Sequence, residues 1–152
     1  MKTFSQLVAE SAKNIDEIFP WDLDEKKDNP PMLLDIREPY EFEAMHIKGS
    51  INVPRGILET ACEYDFEETV PELVEAREKE IVVICRSGNR SVFAAEVMKM
   101  MGYKNAVSLK TGLRGWVDYE LPLVDANEQE VDEDKADEYF TPRLRPEQMS
   151  PE

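Results

Sequence analysis

One short segment, residues 80 to 102, constrains the fold more than any other part of the chain. Its first five residues, Glu80 to Ile84, are typical of a buried strand. An apolar-periodic helix is predicted to begin near Ser91 and to end at Gly102, a residue well suited to follow a helix. Cys85 and a short loop lie between the two elements, so the sequence predicts a strand that passes through a tight, thiol-bearing loop into a helix.

The residues of this loop are typical of a site that holds an anion. A helix N-terminus carries a partial positive charge, and successive loop N–H groups can converge on one negative atom. Both effects favour the thiolate form of Cys85 over the thiol. Arg86 and Arg90 add permanent positive charge suited to anionic oxygens, and Gly88 lets the backbone adopt a positive φ close to a ligand. Cys85 is therefore the candidate nucleophile.

Strands and helices alternate along the chain, which predicts an α/β fold with three layers, α/β/α, around a mostly parallel five-stranded sheet. The predicted strands are residues 15–19, 32–36, 50–53, 81–84 and 106–109. The predicted helices are residues 4–14, 39–45, 66–79, 91–101 and 112–119, with Pro71 interrupting the third and at most a short helix within 21–31. Because ligands bind at the carboxyl edge of such a sheet, the cations that follow strand ends favour a small anionic ligand there. These cations are Arg37, Arg55, Arg86, Arg90, Lys110 and Arg114.

The charge balance excludes some partners. The net charge of −15 argues against binding to nucleic acid or to an anionic membrane surface. No apolar run is long enough to span a bilayer. Residues 125–152 hold ten acidic and three basic side chains and few large apolar ones. We therefore predict a domain over residues 1–124 and an acidic, flexible tail over 125–152.

The two cysteines, Cys62 and Cys85, have neither a metal-site nor a CxxC spacing. The first nineteen residues are interrupted by charges and lack the apolar region of a signal peptide. An unpaired reactive thiol is most easily kept in a reducing compartment, so we expect the cytoplasm. Cys62 lies in a polar context, which favours an incidental thiol over a resolving one.

The loop and two further motifs resemble the rhodanese family of sulfurtransferases. The resemblance consists of Cys-Arg-Ser-Gly-Asn-Arg-Ser followed by Ala94-Ala95, the upstream stretches Leu33 to Phe42 and His46 to Pro54, and Gly112-Leu113-Arg114-Gly115-Trp116. These motifs span residues 32 to 122. Three positions depart from the family pattern, because Met45 replaces a usual Gly, Lys48 a usual Pro, and Thr111 the first Gly of a common Gly-Gly pair.

The resemblance implies a single rhodanese-like domain that transfers a sulfane sulfur from thiosulfate or a related small anionic donor through a persulfide on Cys85. The acceptor would be cyanide, a small thiol or a protein thiol, and no metal or organic cofactor is implied. Asp35, Arg37 and Trp116 would support the site, and the family pattern gives His46 a structural hydrogen bond. Glu38 and Glu41 are interpreted as a solvated helix face. The residues expected to bind the donor and stabilise the persulfide are Arg86, Ser87, Gly88, Asn89, Arg90 and Ser91.

Two other interpretations remain open. Related phosphatases and arsenate reductases carry Cys-x5-Arg, whereas the sixth position after Cys85 is Ser91 and Arg90 comes one residue early. The shorter loop encloses a smaller pocket, which suits a sulfur atom carried on the cysteine better than a phosphoryl group. The second alternative is a rhodanese-like module that docks a partner or carries sulfur without turning over a small molecule of its own.

Overall fold

The computed structural model describes residues 1–151 and contains one five-stranded sheet in the order β1-β5-β4-β2-β3, with every strand pair parallel. The predicted α/β class and strand number are confirmed. The strands are β1 (Glu17–Ile18), β2 (Met32–Asp35), β3 (Ile51–Asn52), β4 (Glu80–Ile84) and β5 (Asn105–Leu109).

In the described part of the chain, eight α-helices connect and flank these strands: α1 (Phe4–Ala12), α2 (Pro20–Asp24), α3 (Pro39–Ala44), α4 (Leu58–Ala61), α5 (Pro71–Val74), α6 (Arg90–Met100), α7 (Gly112–Asp118) and α8 (Glu133–Phe140). Single 3₁₀ turns occur at Arg55–Ile57 and Pro146–Gln148.

Local sequence determines where several helices begin. Thr3 and Gln6 form a capping box on α1, and proline begins α2, α3 and α5, where its missing N–H has no intrahelical partner to lose.

The sheet separates two hydrophobic clusters, because alternate residues of each strand face opposite sides. Leu34, Ile81 and Val83 pack on one face with α4, α5 and α6, whereas Leu33 and Val82 pack on the other with α2, α7 and α8. Burial on both faces explains why β4 is a continuous apolar run. Within residues 1–151, no helix combines the length and apolar character needed to cross a membrane.

The register of the parallel strands brings the chemistry-bearing loops to one edge. Asp35 of β2 pairs with Ile84 of β4, and the N–H of Ile36 donates to the Ile84 carbonyl at 2.9 Å. The loop that contains Arg37 and the loop that begins with Cys85 therefore leave the sheet side by side at its carboxyl edge. This is the location that strand order predicts for a binding site.

One predicted helix is wrong. Only residues 71–74 of the segment 66–79 form a helix, and α4 lies upstream where no helix was predicted. The Thr69 hydroxyl accepts from the Phe66 N–H at 3.1 Å and donates to the Glu63 carbonyl, which closes a turn instead. Such side-chain bonds to the backbone compete with helix formation.

The segment after residue 124 differs from the flexible tail predicted by its composition. Val124 exchanges backbone hydrogen bonds with His46 at 2.8 and 2.9 Å, and α8 buries Ala136 and Phe140 in the cluster that contains α7. The acidic side chains of α8 are exposed, whereas Ala136 and Phe140 are buried. Residues 141–151 are exposed throughout. The division at residue 124 stays a prediction.

Candidate active site

Cys85 is fully buried, and its sulfur is surrounded by hydrogen-bond donors of its own loop. The N–H of Gly88 donates to Sγ at 3.2 Å and the N–H of Ser91 donates at 3.3 Å. The Ser91 hydroxyl lies 3.3 Å from the same sulfur. Ser91 occupies the first turn of α6, where backbone N–H groups lack helical acceptors. The arrangement can stabilise negative charge on sulfur at this position.

Contacts from α7 hold the loop in this shape. The N–H of Leu113 donates to the Cys85 carbonyl at 3.0 Å, and the N–H of Arg114 donates to the Arg86 carbonyl at 2.9 Å. Gly112 permits this approach, because a Cβ there would lie 2.6 Å from the Cys85 oxygen. With the loop carbonyls turned toward α7, the N–H groups are free to face the sulfur.

Three positions in the loop region, Gly88, Thr111 and Gly112, have a positive φ. Gly88 has φ of 86°, and a Cβ on it would lie 2.8 Å from the Thr111 nitrogen. Thr111 has φ of 67° and so keeps the left-handed conformation that the usual family glycine would adopt freely. The departure from the family pattern at this position therefore strains the backbone but leaves the turn intact. Met45, another departure, has an extended φ of −170° that any residue adopts.

A second serine lies behind the first. The hydroxyls of Ser91 and Ser108 are 2.7 Å apart, and both side chains are fully buried. If the Ser108 hydroxyl donates to Ser91, the Ser91 proton is left to donate to Cys85. Ser108 belongs to β5 and was missed by sequence reasoning, because a serine in a strand carries no signal of its distant partner.

Arg90 binds Glu41 rather than standing free for a ligand. Its two terminal nitrogens donate to the two carboxylate oxygens of Glu41 at 2.9 and 3.0 Å. Glu41 is only 7% exposed, so its interpretation as a solvated residue is wrong. Burial alone would raise the pKa of Glu41, but hydrogen bonds from Arg90 and from the Glu38 backbone outweigh it and lower the pKa. This pair fixes the start of α6 to α3.

Arg86 turns toward α8. Its Nη2 donates to the Tyr139 carbonyl at a long 3.4 Å, and its guanidinium lies 5.5 Å from the centre of the Phe140 ring. The side chain is only half-buried. Of the two loop arginines, Arg86 thus has the weaker protein contacts.

Asp35 and Arg37 form a fully buried ion pair beside the loop. Arg37 Nε and Nη2 donate to Asp35 at 3.0 and 2.8 Å, and Nη2 also donates to the Met45 carbonyl at 2.8 Å. Asn52 donates to the carbonyls of both residues at 3.0 Å. Within residues 1–151, Arg37 Nη1 is buried without a hydrogen-bond partner. The pair braces the loop that follows β2.

The remaining predicted residues lie around this centre. Asn89 donates to the Ser87 hydroxyl at 3.2 Å on the rim of the loop. The Trp116 indole donates to the Pro122 carbonyl at 2.9 Å and its ring packs in the second cluster, which makes it a packing residue. The His46 ring is hydrogen-bonded to the Phe42 carbonyl at 2.7 Å, the structural role that the family pattern implies.

A thiol at the carboxyl end of a central parallel strand, held in a nest of N–H groups, defines a class of cysteine-dependent α/β proteins. The family profile described as Rhodanese-like domain matches residues 20–119. The chain therefore belongs to the rhodanese-like domain family.

Relatives in this family have several descriptions. The putative sulfur carrier protein YrkF of Bacillus subtilis is 36% identical over 110 residues, which is 71% of this chain and 54% of that protein. The thiosulfate:glutathione sulfurtransferase of Saccharomyces cerevisiae is 30% identical over 117 residues, 71% of this chain and 84% of that protein. The chain thus spans only about half of the Bacillus relative.

Among solved structures, a Rhodopseudomonas palustris protein described as of unknown function and a possible tyrosine phosphatase superimposes with a TM-score of 0.72. It is 27% identical, and the match covers 81% of this chain and 95% of that one. The strand and helix arrangement is therefore shared across nearly the whole neighbour.

Proposed function

We propose that this protein transfers a sulfane sulfur through a persulfide on Cys85. The observation that carries the proposal is the convergence of the Gly88 and Ser91 N–H groups on Sγ at 3.2 and 3.3 Å. These donors are backbone groups held by α6 and α7, so they need no rearrangement to stabilise a thiolate or a persulfide anion. Membership of the rhodanese-like family and the descriptions of its relatives as a sulfur carrier and a sulfurtransferase support it.

In the first step, the Cys85 thiolate attacks the outer sulfur of thiosulfate or of a related donor. A bond forms between Sγ and that sulfur, the donor's S–S bond breaks, and the electron pair leaves on sulfite. Arg86 is the better placed of the two loop arginines to approach the sulfite oxygens, since Glu41 already occupies both terminal nitrogens of Arg90. Arg90 instead positions the loop.

In the second step, the thiolate of an acceptor attacks the outer sulfur of the persulfide. The S–S bond to Cys85 breaks and Sγ recovers the electron pair, so the protein returns to its starting state. Cyanide can serve as the acceptor in the same way. The two steps make covalent catalysis with ping-pong kinetics. A reducing compartment such as the cytoplasm would keep Cys85 available for it.

A sulfur carrier would use the same persulfide but would differ in the fate of the bound sulfur. The carrier would hold the sulfur until a partner protein collects it, whereas the sulfurtransferase would turn over with small acceptors. The relative described as a putative sulfur carrier and the one described as a sulfurtransferase are both consistent with the site. Steady-state turnover with thiosulfate and cyanide, against single-turnover loading alone, separates the two.

Phosphate chemistry is the competing function, and the structural neighbour described as a possible tyrosine phosphatase makes it worth testing. An arginine that binds a phosphoryl group must be free to face it, but Arg90 is held bidentately by Glu41. At the next position, the Ser91 N–H donates to the sulfur itself, and the Ser91 hydroxyl oxygen lies 3.3 Å from that sulfur. We expect negligible release of p-nitrophenol from its phosphate ester, and robust release would favour the phosphatase interpretation instead.

Mass spectrometry of the purified protein after incubation with thiosulfate tests the proposal directly. We expect the mass of one added sulfur on the peptide that contains Cys85, and its loss on addition of cyanide. If no sulfur is added from thiosulfate or from a low-molecular-weight persulfide, then sulfur transfer through Cys85 is wrong.

A further inference from the structure

Helix α8 packs on the domain through Ala136 and Phe140. Phe140 is 1% exposed and Ala136 is 5% exposed, and both lie in the cluster that contains Leu113 and Trp116 of α7. Asp132 accepts from the Lys135 N–H at 3.3 Å and caps the start of the helix. Because the other side chains of α8 are mostly polar, Phe140 supplies the main apolar anchor.

Two arginines that border the catalytic loop bind the C-terminal end of α8. Arg86 Nη2 donates to the Tyr139 carbonyl at 3.4 Å, and Arg114 Nη1 donates to the Asp137 carbonyl at 3.3 Å. The C-terminal carbonyls of a helix carry partial negative charge, which favours cations at this end. The guanidinium of Arg86 also lies 6.0 Å from the centre of the Tyr139 ring. The loop and α8 are therefore directly coupled through Arg86.

The end of α8 lies beside the loop that begins at Cys85. Met45, Arg86 and Tyr139 line a cleft of about 550 Å³ between α8 and the rest of the domain. The Met45 carbonyl in turn accepts from the buried Arg37. Burial raises the pKa of the Tyr139 hydroxyl. Among the nearby charges, Arg37 lowers this pKa and Glu41 raises it. A cleft of this volume is within the range for a small molecule.

We propose that Tyr139 and Phe140 are specificity-determining residues that restrict the persulfide of Cys85 to low-molecular-weight donors and acceptors while α8 is in place. The proposal rests on the proposed sulfur transfer. A thiol on a folded protein brings its own backbone and neighbouring side chains with it, and α8 occupies the space beside Arg86 that they would need. Cys85 itself has no exposed surface, and the side chain of Arg86, the next residue, contacts the end of this helix.

The chemistry is the same for both acceptor classes, and only access differs. The acceptor thiolate attacks the outer sulfur, the bond between that sulfur and Sγ breaks, and Cys85 leaves as the thiolate. Loosening α8 should therefore increase transfer to a protein thiol more than transfer to a small thiol.

Discharge of the full-length persulfide tests this inference. The protein is loaded with thiosulfate and mixed either with 2-mercaptoethanol or with a small folded protein that carries one engineered surface cysteine. The measured quantity is the ratio of the two discharge rates. We expect Phe140→Ala to raise the ratio of protein-thiol to small-thiol transfer at least about tenfold, because its anchor is lost and the open population grows. Phe140→Leu, which keeps an apolar anchor, should give a smaller increase.

Leu73→Ala is the matched control, because Leu73 is equally buried but packs on the opposite face of the sheet. It should destabilise the domain comparably and leave the ratio unchanged. Hydrogen exchange of the α8 amides verifies that Phe140→Ala releases the helix. An unchanged ratio in a variant whose α8 amides exchange faster would overturn the inference, although persulfide loading would still support sulfur transfer. Failure of wild-type loading would instead count against the proposed function.

Discussion

Cys62 and Cys85 lie in the same hydrophobic cluster, both are unpaired and both are completely buried, yet their surroundings differ. Two backbone N–H groups converge on the sulfur of Cys85. Around Cys62, Arg77 donates to the carbonyl at 2.9 Å rather than to the sulfur. Burial raises the pKa of the Cys62 thiol, an effect that the neighbouring Tyr103 hydroxyl and Arg77 charge do not overcome.

The contrast between Cys62 and Cys85 distinguishes the burial of a cysteine from the presence of donors that can activate its thiol. Burial in an apolar cluster disfavours a thiolate, whereas fixed donors aimed at the sulfur favour it. A cysteine inside a core is therefore a candidate nucleophile only when its own loop supplies such donors. Paired variants of the two regions test that distinction, in order of decreasing effect.

The strongest contrast is between the two cysteines themselves. We expect Cys85→Ser to reduce sulfur transfer at least about a thousandfold, the scale of removing a nucleophile. Cys62→Ser should keep most of the transfer activity and should lower stability by about 1–3 kcal/mol, since it buries a hydroxyl. Thiosulfate-to-cyanide turnover and thermal melts measure both. Equal losses in the two variants would mean that Cys85 has no special role.

The donors can be tested with two glycines of similar conformation. Gly88 and Gly102 have φ of 86° and 93°, but a Cβ on Gly102 would meet only the Arg77 side chain, at 3.8 Å or more. Each change to Ala should cost about 1–2 kcal/mol for the left-handed backbone, and at Gly88 the 2.8 Å approach to the Thr111 nitrogen adds to that cost. Only Gly88→Ala should also reduce the transfer rate, by roughly a hundredfold. Similar rates in the two stable variants would contradict a role for the Gly88 N–H.

The ion pair behind the loop has a counterpart near Cys62. Glu41→Gln should lower the transfer rate about tenfold, because it removes a charge-assisted bond that positions Arg90. Glu59 pairs with Arg55 at 3.0 Å on the exposed surface of α4, so Glu59→Gln should change little. Comparing the sulfur-transfer rates of Glu41→Gln and Glu59→Gln tests whether the ion pair of Glu41 and Arg90 supports transfer.

The ion pair of Glu41 and Arg90 also predicts that the stability of the protein depends on pH. Because the pKa of Glu41 is lowered in the folded protein, its contribution to stability is present above the unfolded pKa of 4.5 and is lost as the pH falls through the folded value. Acidification below that range should therefore lower the melting temperature of the wild type more than that of Glu41→Gln. If the melting temperatures of the wild type and of Glu41→Gln fall equally as the pH is lowered, the ion pair contributes no net stability.

The hydroxyl behind Ser91 should have the weakest effect. Ser108→Ala removes the 2.7 Å contact to Ser91 and should reduce transfer about two- to tenfold, the scale of one net hydrogen bond. Tyr103→Phe removes a comparable buried hydroxyl beside Cys62, which donates to the Leu73 carbonyl at 2.6 Å. It should lower stability and leave the transfer rate unchanged. If Tyr103→Phe lowers the transfer rate and Ser108→Ala does not, the hydroxyl beside Cys62 supports transfer and the hydroxyl behind Ser91 does not.

The sequence was sufficient for the parts of the fold and site that depend on neighbouring residues. β2 and β4 are short, mainly apolar runs, and both were predicted close to their observed bounds. The loop from Cys85 to Ser91 was recognised because its glycine, its thiol and the start of α6 are contiguous. Local chemistry also explains Gly88, whose positive φ a turn of this kind requires.

The parts that the sequence did not predict depend on distant contacts. Glu41 contacts Arg90 across 49 positions, and Ser91 contacts Ser108 across 17. Neither pairing has a periodic signal. The packing of Phe140 on the domain was not predicted, because ten acidic residues dominate the composition of its segment. Composition reports the average of a segment, whereas docking depends on one well-placed residue.

The contacts between α7 and the loop have a consequence for protein engineering. The carbonyls of Cys85 and Arg86 are bound by Leu113 and Arg114, which come from the far side of a whole helix and strand. A designer who copies the loop from Cys85 to Ser91 onto another strand–helix junction transplants the thiol without the groups that orient the surrounding amides. The smallest portable unit is discontinuous, and it includes the turn at Thr111 and Gly112 as much as the cysteine.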